Sequence, residues 1–534
     1  MKKIFNFLLI TALLTGFTSC KKYLDINENP NQATVSTPSL VLPQAIVGTA
    51  SISENYNASY FTLGGFSGLS YGFGGAGVGL TYAYTASNFT GLFSSVYDNC
   101  TDYQYVIDNS VGIPNLVYAN AIARIMKSYQ FGKLVDQYND VPYSDALKGA
   151  ASLAPKYDKA EDIYKDLISQ LNLAIAGITT GQAGVVATKI KSSEDPLFKG
   201  DMDLWKAFAN TIKLRLLVKM AGVPAQSSYT TAQFASFSTT IGVLTNDALV
   251  NPGYVKEEGR QNPTYSLLGF GTNNQRSGTA NSNIPTIWAY SFYNTKISDP
   301  GRGSVIYRGY PSTARVHQGT QVQFTTTNGN TLIPPPGFSS WFTGVDNNTP
   351  GLGVAKGPSQ GRSLFLAAEA QFLLAEAYAR GYLVGGAASA FNAGITASFN
   401  YLYKNQNNVV DPNKNVATDV ATYLTANDTN KWVNFSLNTS LAERIEAIIT
   451  QKYIALNMIH CDEAYNEFRR TEYPKIVNGS SNPTETFASI ISTSTRPDKL
   501  VGRILYPQQE FNLNGTNVPA GITLFGSRIF WDLN

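Results

Sequence analysis

Helical periodicity in two separate blocks of this 534-residue chain most limits how it can fold. In the first block, residues 115–222, apolar residues mark one helix face at i, i+4, i+7 and i+11: Tyr118, Ile122, Ile125 and Tyr129. Further helices are predicted after Asp158 and from Asp201, whose carboxylate suits a helix N-terminus. The buried stripe of the last helix is predicted to be Trp205, Phe208, Ile212 and Leu216.

The second block, residues 363–475, has the same character. One helix face reads Leu366, Ala370, Leu373 and Ala377, and residues 387–403 are predicted to form its antiparallel partner. Ser440 and Glu443 have the spacing of a capping box that opens another helix. Helical hairpins with small residues at their crossings predict a mainly α fold. Its scaffold is tetratricopeptide-like, with long irregular loops and a few short strands, although the strict repeat is degenerate.

Between the blocks, residues 223–362 lose helical periodicity, and Gly, Pro, Thr, Ser and Asn punctuate short segments. So long an irregular stretch is usually functional or holds short strands. Trp288, Tyr290 and Trp341 lie in it and are candidate ligand-binding residues. An exposed ring would stack on a sugar or a peptide side chain, whereas a buried ring would anchor its own loop. The sequence leaves both readings open.

A glycine-rich segment, residues 64–79, is predicted to be a flexible surface loop. Its GFGGAG run matches a dinucleotide-binding pattern, but no apolar strand precedes it, so nucleotide binding is not expected. Phe66, Tyr71 and, just beyond the loop, Tyr84 are the remaining candidate ligand-binding residues.

The N-terminus has the order of a secretory signal. Lys2 and Lys3 precede an apolar run, Ile4 to Leu14, that is too short to span a membrane. Small residues then lead to Cys20, as in a bacterial lipoprotein signal. We therefore predict a signal peptide over residues 1–19 and acylation of Cys20. The mature chain, 20–534, is then one domain, lipid-anchored and not membrane-spanning.

Composition favours contact with neutral polar molecules. Charged residues make up 14% of the chain, against about 25% in an average soluble protein. The net charge of +3 gives no reason to expect a nucleic-acid partner. Uncharged hydrogen-bonding groups and aromatic rings suit sugars or peptide backbone.

Several stretches, in this order and at this spacing, resemble the SusD/RagB family of outer-membrane nutrient-binding lipoproteins. They are KKYLDINENPNQAT (21–34), DVPYSDAL (140–147), DLWKAFANTIKLRLLVKMA (203–221), AEAQFLLAEAYARGY (368–382), ITQKYIAL (449–456), NEFRRTEYP (466–474), RILYPQQEFNLN (503–514) and the terminal WDLN. They are most similar to the starch-binding-associated branch. The resemblance implies helices at about 40–222 and 363–475 that support ligand loops at about 223–362. It also implies a SusC-like TonB-dependent β-barrel transporter as partner, an outer-membrane position facing the cell surface, and no catalysis.

Residues that suggest other chemistry have ordinary structural explanations. Glu369 and Glu376 share a helix face, but seven helical residues span about 10.5 Å, beyond the separation of glycosidase carboxylates. We predict that they pair with arginine or backbone groups. Three aspartates are predicted to be turn and cap residues: Asp136, Asp140 and Asp145.

The sequence gives little support for a metal site and leaves the state of two cysteines open. The run from His460 to Glu463 lacks helical chelating spacing, so no metal site or cofactor is expected, and a structural calcium ion is left open. Arg469 and Arg470 are expected to anchor helix ends. Cys100 and Cys461 are either a disulfide or two buried free thiols.

The sequence therefore predicts non-catalytic capture of a nutrient oligomer, with an oligosaccharide preferred, for delivery to the transporter. A peptide-binding lid of the same transporter and a lipid-anchored glycan hydrolase are the alternatives. A further alternative is a structural subunit that stabilises the transporter without contacting substrate. The sequence does not identify the ligand.

Overall fold

Paired helices build most of this computed structural model, which describes residues 36–70, 77–319, 341 and 351–534. The predicted lipidation site Cys20 and the candidate residue Tyr71 lie outside the described residues. The first helices are α1 (Pro38–Ser59), α2 (Val78–Thr81), α3 (Thr90–Asp108), α4 (Val117–Tyr138), α5 (Ala160–Ala183) and α6 (Met202–Ala221). The three helices predicted in this block are confirmed.

The helices of the second block follow a short strand. They are α12 (Ala367–Ala379), α13 (Ala387–Tyr403), α14 (Val416–Ala426), α15 (Leu441–Leu456) and α16 (Cys461–Thr471), and α17 (Gln508–Leu513) lies near the C-terminus. The predicted partnership of 387–403 with the preceding helix is confirmed, because Phe372 of α12 packs on Phe391 of α13 with ring centroids 6.0 Å apart. The mainly α fold is confirmed as well.

The middle stretch is more helical than the sequence suggested. It contains α7 (Ser227–Ala235), α8 (Pro263–Leu268), α9 (Gly278–Ser282), α10 (Ile287–Asn294) and α11 (Pro300–Ile306). These helices have at most nine residues, so each shows too few turns for a period of 3.6 to emerge. The interpretation of this stretch as irregular is therefore wrong where these helices lie, and short strands, which the sequence left open, are present.

In the described residues there are three two-stranded antiparallel ribbons, two of which connect distant parts of the chain. β1 (Ser67–Leu69) pairs with β5 (Asn283–Pro285), and Gly68 lies opposite Ile284. β2 (Val141–Pro142) pairs with β3 (Tyr157–Asp158), and β4 (Ala248–Val250) pairs with β6 (Arg362–Phe365). β1 with β5 and β4 with β6 thus fasten the middle stretch to the helical blocks.

Helix ends and crossings follow local chemistry. The Asp201 carboxylate accepts hydrogen bonds from the backbone N–H groups of Asp203 and Leu204, and the Ser440–Glu443 capping box is present. Small residues let helices approach closely, because a Cβ on Gly394 of α13 would lie 2.6 Å from the Phe372 ring. Both caps are confirmed as predicted.

A buried ionic network joins five helices. Lys219 of α6 lies 2.7 Å from a carboxylate oxygen of Asp136 on α4 and 2.7 Å from one of Glu463 on α16. Arg215 of α6 pairs with Glu369 of α12 at 2.7 Å.

Two further ion pairs belong to this network. Lys452 of α15 pairs with Glu467 at 3.2 Å, and Lys133 of α4 pairs with Asp462. All these side chains are buried, so each charge depends on its partners.

Of the three aspartates predicted to be turn and cap residues, the structure corrects one and confirms two. Asp136 is neither a turn nor a cap residue, because it lies inside α4 and also accepts hydrogen bonds from Tyr164 and Trp531. Asp140 accepts from the backbone N–H of Ala160, the first residue of α5, and Asp145 accepts from Ser152 near a turn.

Glu376 has two arginine partners, as predicted for this carboxylate. Arg470 donates to both of its oxygens at 2.8 and 2.6 Å, and Arg380 donates at 2.7 Å. Burial alone would raise the pKa of Glu376, but Arg470 and Arg380 lower it to about 2. Arg469 binds the backbone carbonyls of Gly502 and Asp136, so the predicted anchoring role of both arginines is confirmed.

The two cysteines in the described residues are free and buried. The disulfide alternative is therefore wrong and the free-thiol alternative is confirmed. Burial raises the pKa of Cys100 to about 12, so this thiol is protonated and unreactive at neutral pH.

Replacing Lys219 tests the network. Lys219→Met leaves Asp136 and Glu463 without their shared cation, and we expect a loss of about 3–5 kcal/mol in the free energy of unfolding. Urea titration measures it. Lys148→Met is the matched control: its exposed pair with Asp145 contributes at most about 1 kcal/mol. Equal effects of the two substitutions would contradict the role of the network.

The low pKa of Glu376 predicts how its contribution to stability depends on pH. Because the folded-state pKa is depressed from 4.5 to about 2, the contribution is complete above 4.5 and is lost as the pH falls toward 2. The gap in melting temperature between the wild type and Glu376→Gln should therefore narrow over this range. A gap that is the same at both ends of the range would contradict the assignment.

Candidate functional site

Helix α10 carries aromatic residues on two faces. The side chain of Thr286 caps it by accepting a hydrogen bond from the backbone N–H of Ala289 at 3.0 Å. Trp288 and Phe292 are four residues apart and share one face, whereas Tyr290 and Tyr293, three apart, share another. The helix thus contacts two aromatic clusters.

The first cluster surrounds Trp288. Its ring centroid lies 5.2 Å from that of Phe292, and Phe292 lies 5.7 Å from Tyr453 of α15. Tyr453 stacks on Phe66 at 4.3 Å. The backbone N–H of Thr286 donates to the carbonyl of Phe66 at 3.1 Å, which extends the β1–β5 ribbon and fixes this ring beside α10.

The second cluster centres on Tyr307. Its ring centroid is 5.1 Å from Tyr290, 5.2 Å from Tyr293 and 5.6 Å from Trp341. The Asn457 amide donates to the hydroxyls of Tyr307 and Tyr293 at 2.6 and 2.9 Å. Burial raises the pKa of Tyr307, so its hydroxyl is neutral at physiological pH.

Four of the predicted site residues are brought together but are not exposed. The exposed fractions are 1% for Trp288, 1% for Tyr290, 2% for Trp341 and 0% for Phe66. Of the two readings that the sequence left open, the structure shows the buried one, because Tyr453 and Tyr307 from other elements pack against these rings. Their contact with a ligand stays a prediction.

Tyr84 lies apart from α10. Its half-buried ring is 4.8 Å from Phe89 and 6.5 Å from Tyr82, close to the N-terminus of α3. Burial raises the pKa of Tyr84. Ligand binding by Tyr84 also stays a prediction.

Trp432 and Lys296 belong to this site but were not among the sequence candidates. Trp432 is half-buried, with its ring centroid 6.0 Å from Phe292. The Lys296 ammonium lies 3.6 Å from the Trp288 ring centroid and 4.5 Å from that of Phe292. Trp432 follows an Asn- and Thr-rich segment, which could have marked it, but it lies in the second helical block and outside the stretch from which the tryptophan candidates were taken. No local pattern marks Lys296.

A cavity of 530 Å³ that is rich in amide groups borders α11. Asn405, Gln406 and Asn407 supply amides, Ser304 of α11 supplies a hydroxyl, and Asp411 and Lys414 add one charge of each sign. Tyr307 directly follows α11, so this cavity and the second cluster share an element. Amide and hydroxyl groups suit the hydroxyls of a neutral sugar.

A larger cavity of 740 Å³ lies in the helical scaffold, between α3, α4 and α5. Lys127 and Arg124 lie in this cavity. Lys127 donates a hydrogen bond to the amide oxygen of Gln104, and Arg124 donates to those of Gln170 and Asn120. Four aspartates also line it: Asp108, Asp158, Asp162 and Asp166. Its mixed charge suits a charged group better than a neutral sugar.

The carboxylates and histidine considered for catalysis are held in structural contacts. Glu369 and Glu376 lie in ion pairs, and the His460 ring hydrogen-bonds Ser363 at 3.1 Å. Burial lowers the pKa of His460 well below its usual value. No group of three His, Cys, Asp or Glu side chains in the described ranges is arranged to hold a metal ion.

The burial of Trp288 predicts a stability defect on its removal. Trp288→Ala should lower the free energy of unfolding by about 3–5 kcal/mol, because it leaves a cavity between Phe292 and Phe487. Trp432→Ala, which truncates a half-buried ring, should cost less than half as much. Denaturant titration of both variants measures the difference. A larger loss for Trp432→Ala would contradict the burial pattern.

Comparison with known proteins identifies the family to which the fold belongs. The SusD-like family model, described as "Starch-binding associating with outer membrane", matches residues 30–492. No curated protein matches the chain.

Solved structures show the same fold. A SusD homolog from Bacteroides uniformis is 21% identical, with a TM-score of 0.66, and the match covers 92% of this chain and 99% of that one. A chitin-binding SusD homolog from Flavobacterium johnsoniae is also 21% identical, with a TM-score of 0.67 and the same coverage. A Bacteroides fragilis SusD homolog has 17% identity and a TM-score of 0.68, covering 93% of this chain and all of its own. Because the family model matches most of the length of this chain, the chain belongs to the SusD-like family, which is described as starch-binding and associated with the outer membrane.

Proposed function

We propose that this protein captures a neutral oligosaccharide at the cell surface and delivers it to a TonB-dependent β-barrel transporter of the outer membrane. The family assignment carries the proposal, since the family is described as starch-binding and associated with the outer membrane. A solved relative with the same fold is described as chitin-binding. Starch and chitin are both neutral glycans.

The chemistry of the α10 region supports a neutral ligand. Besides Asp411 and Lys414, whose charges are opposite, the 530 Å³ cavity next to α11 offers three carboxamides and a hydroxyl, and the half-buried Trp432 offers a ring near the surface. Sugars combine hydroxyl groups with apolar ring faces, so both kinds of group are useful for binding them. The low charge content of the chain, 14%, supports the same ligand class.

The proposal is binding without catalysis. Glycoside hydrolysis needs two carboxyl groups across a substrate cleft, one of them protonated as the general acid. Glu376 is held ionised by Arg470 and Arg380, and Glu369 is buried against Arg215. These carboxylates therefore cannot act as that pair.

Lipid anchoring through Cys20 supplies the membrane attachment in this proposal. No helix in the described parts of the chain is long and apolar enough to cross a bilayer. Attachment through acyl chains agrees with the signal-like sequence before Cys20. A lipid-anchored binder would remain beside a transporter in the same membrane, so captured ligand would have a short path to it.

Calorimetric titration tests the ligand class. The chain from Lys21 to Asn534 retains every described residue and is titrated with maltoheptaose, chitohexaose and a panel of mixed tryptic peptides. We expect saturable heat with at least one neutral oligosaccharide and none with the peptides.

The charged oligogalacturonates serve as the matched control. They present the same ring size with carboxylates, so they should bind more weakly than the neutral oligomers. Heat from peptides alone would contradict the proposal in favour of a peptide-binding lid, and hydrolysis of the bound oligosaccharide would contradict the non-catalytic role.

A further inference from the structure

The side chain of Lys296 covers an aromatic surface at the edge of α10. Its ammonium lies 3.6 Å from the Trp288 ring centroid, which is the contact distance of a group stacked on a ring face. Phe292 lies on the same side at 4.5 Å. Trp288 itself is 1% exposed, whereas Lys296 is half-buried, so the lysine lies between the indole and solvent.

The cover is held weakly. Within the described residues, the Lys296 ammonium has no carboxylate within ion-pair distance, unlike Lys219 and Lys452 of the buried network. Burial lowers the pKa of Lys296 to about 7, and Glu485 acts against this shift from beyond ion-pair distance. A cation–π contact is a modest attraction, and the desolvation of the ammonium offsets part of it.

Polar groups surround the covered rings. Glu485 is exposed and accepts hydrogen bonds from Ser480 and from the Asn482 amide. The Asn430 amide donates to the carbonyl of Lys296 at 2.8 Å and positions the turn that carries it. The half-buried Trp432 ring stands beside Phe292. Aromatic faces with a polar rim match a sugar ring, which has apolar faces and hydroxyls around its edge.

We infer that a neutral pyranose unit displaces the Lys296 side chain and stacks on Trp288, with Trp432 and Phe292 beside it. This inference rests on the proposed function and assigns a subsite to it. The lysine stem is flexible and has four carbons, so a change of rotamer opens the site without moving the backbone. Lys296 thus keeps a large apolar surface covered when no ligand is bound.

Displacement has a direct signature in solution. The Lys296 Nζ lies 3.6 Å from the indole centroid, so the neighbouring ε protons are shifted upfield by the ring current, and they lose this shift when the side chain swings into water. The chain from Lys21 to Asn534, labelled with ε-¹³C lysine, is titrated with maltoheptaose and with chitohexaose. The Lys296→Met variant identifies the Lys296 signal by its absence.

Three substitutions test the subsite by calorimetry. Lys296→Ala removes the cover and should tighten oligosaccharide binding by about threefold to tenfold, the worth of one cation–π contact. Trp432→Ala should weaken binding by about tenfold, a typical loss for one stacked ring. Lys127→Ala is the matched control. Its ammonium also lies over aromatic rings, 5.5 Å from Tyr143, but in the scaffold cavity, so affinity should not change.

The outcomes separate this inference from the proposed function. Movement of the Lys296 signal to the position of exposed lysines, with tighter binding by Lys296→Ala, supports the subsite. Oligosaccharide binding that leaves the Lys296 signal unmoved and is the same for Lys296→Ala overturns the subsite but not the proposed function. Absence of binding to both the wild type and Lys296→Ala overturns both.

Discussion

The buried ionic network among α4, α6, α12, α15 and α16 is the constraint on which the rest of the structure depends. Lys219 bridges Asp136 and Glu463, and Arg215 reaches Glu369. A buried ion loses its hydration, so each is tolerated only in an arrangement that supplies its partners. Helices that carry such charges can pack in few ways, and this fixes the register of the first helical block against the second.

That fixed scaffold positions the candidate site. α15 carries Lys452 into the network and, one residue later, Tyr453 against Phe66 and Phe292. The same helix thus connects the ionic network to the first aromatic cluster. The middle stretch contains only short helices in its described part. The β1–β5 and β4–β6 ribbons hold it against the rest of the chain. A rigid scaffold with a binding region built from short elements is a common arrangement for loop-borne function.

The sequence predicted the features that depend on local pattern. The periodicity of Tyr118, Ile122, Ile125 and Tyr129 located α4, and the Ser440–Glu443 spacing located the start of α15. Pairing of Glu369 and Glu376 with arginine followed from placing carboxylates in an apolar helix. Burial of the loop aromatics could not be predicted, because Trp288 is covered by Lys296 and Phe487, and Trp341 contacts Tyr307. Asp136 was misjudged for the same reason: Lys219, its partner, comes from another helix.

Family membership and site chemistry both support our proposal of a neutral glycan ligand, for which we propose α10 as the site and not the charged scaffold cavity. A crystal structure of the mature chain soaked with chitohexaose or maltoheptaose tests this claim most directly. The account predicts a sugar ring on Trp288 and Trp432, with Lys296 displaced, and further units toward Ser304 and Asn405. Sugar bound between Arg124 and Lys127, with the α10 region unchanged, would contradict it.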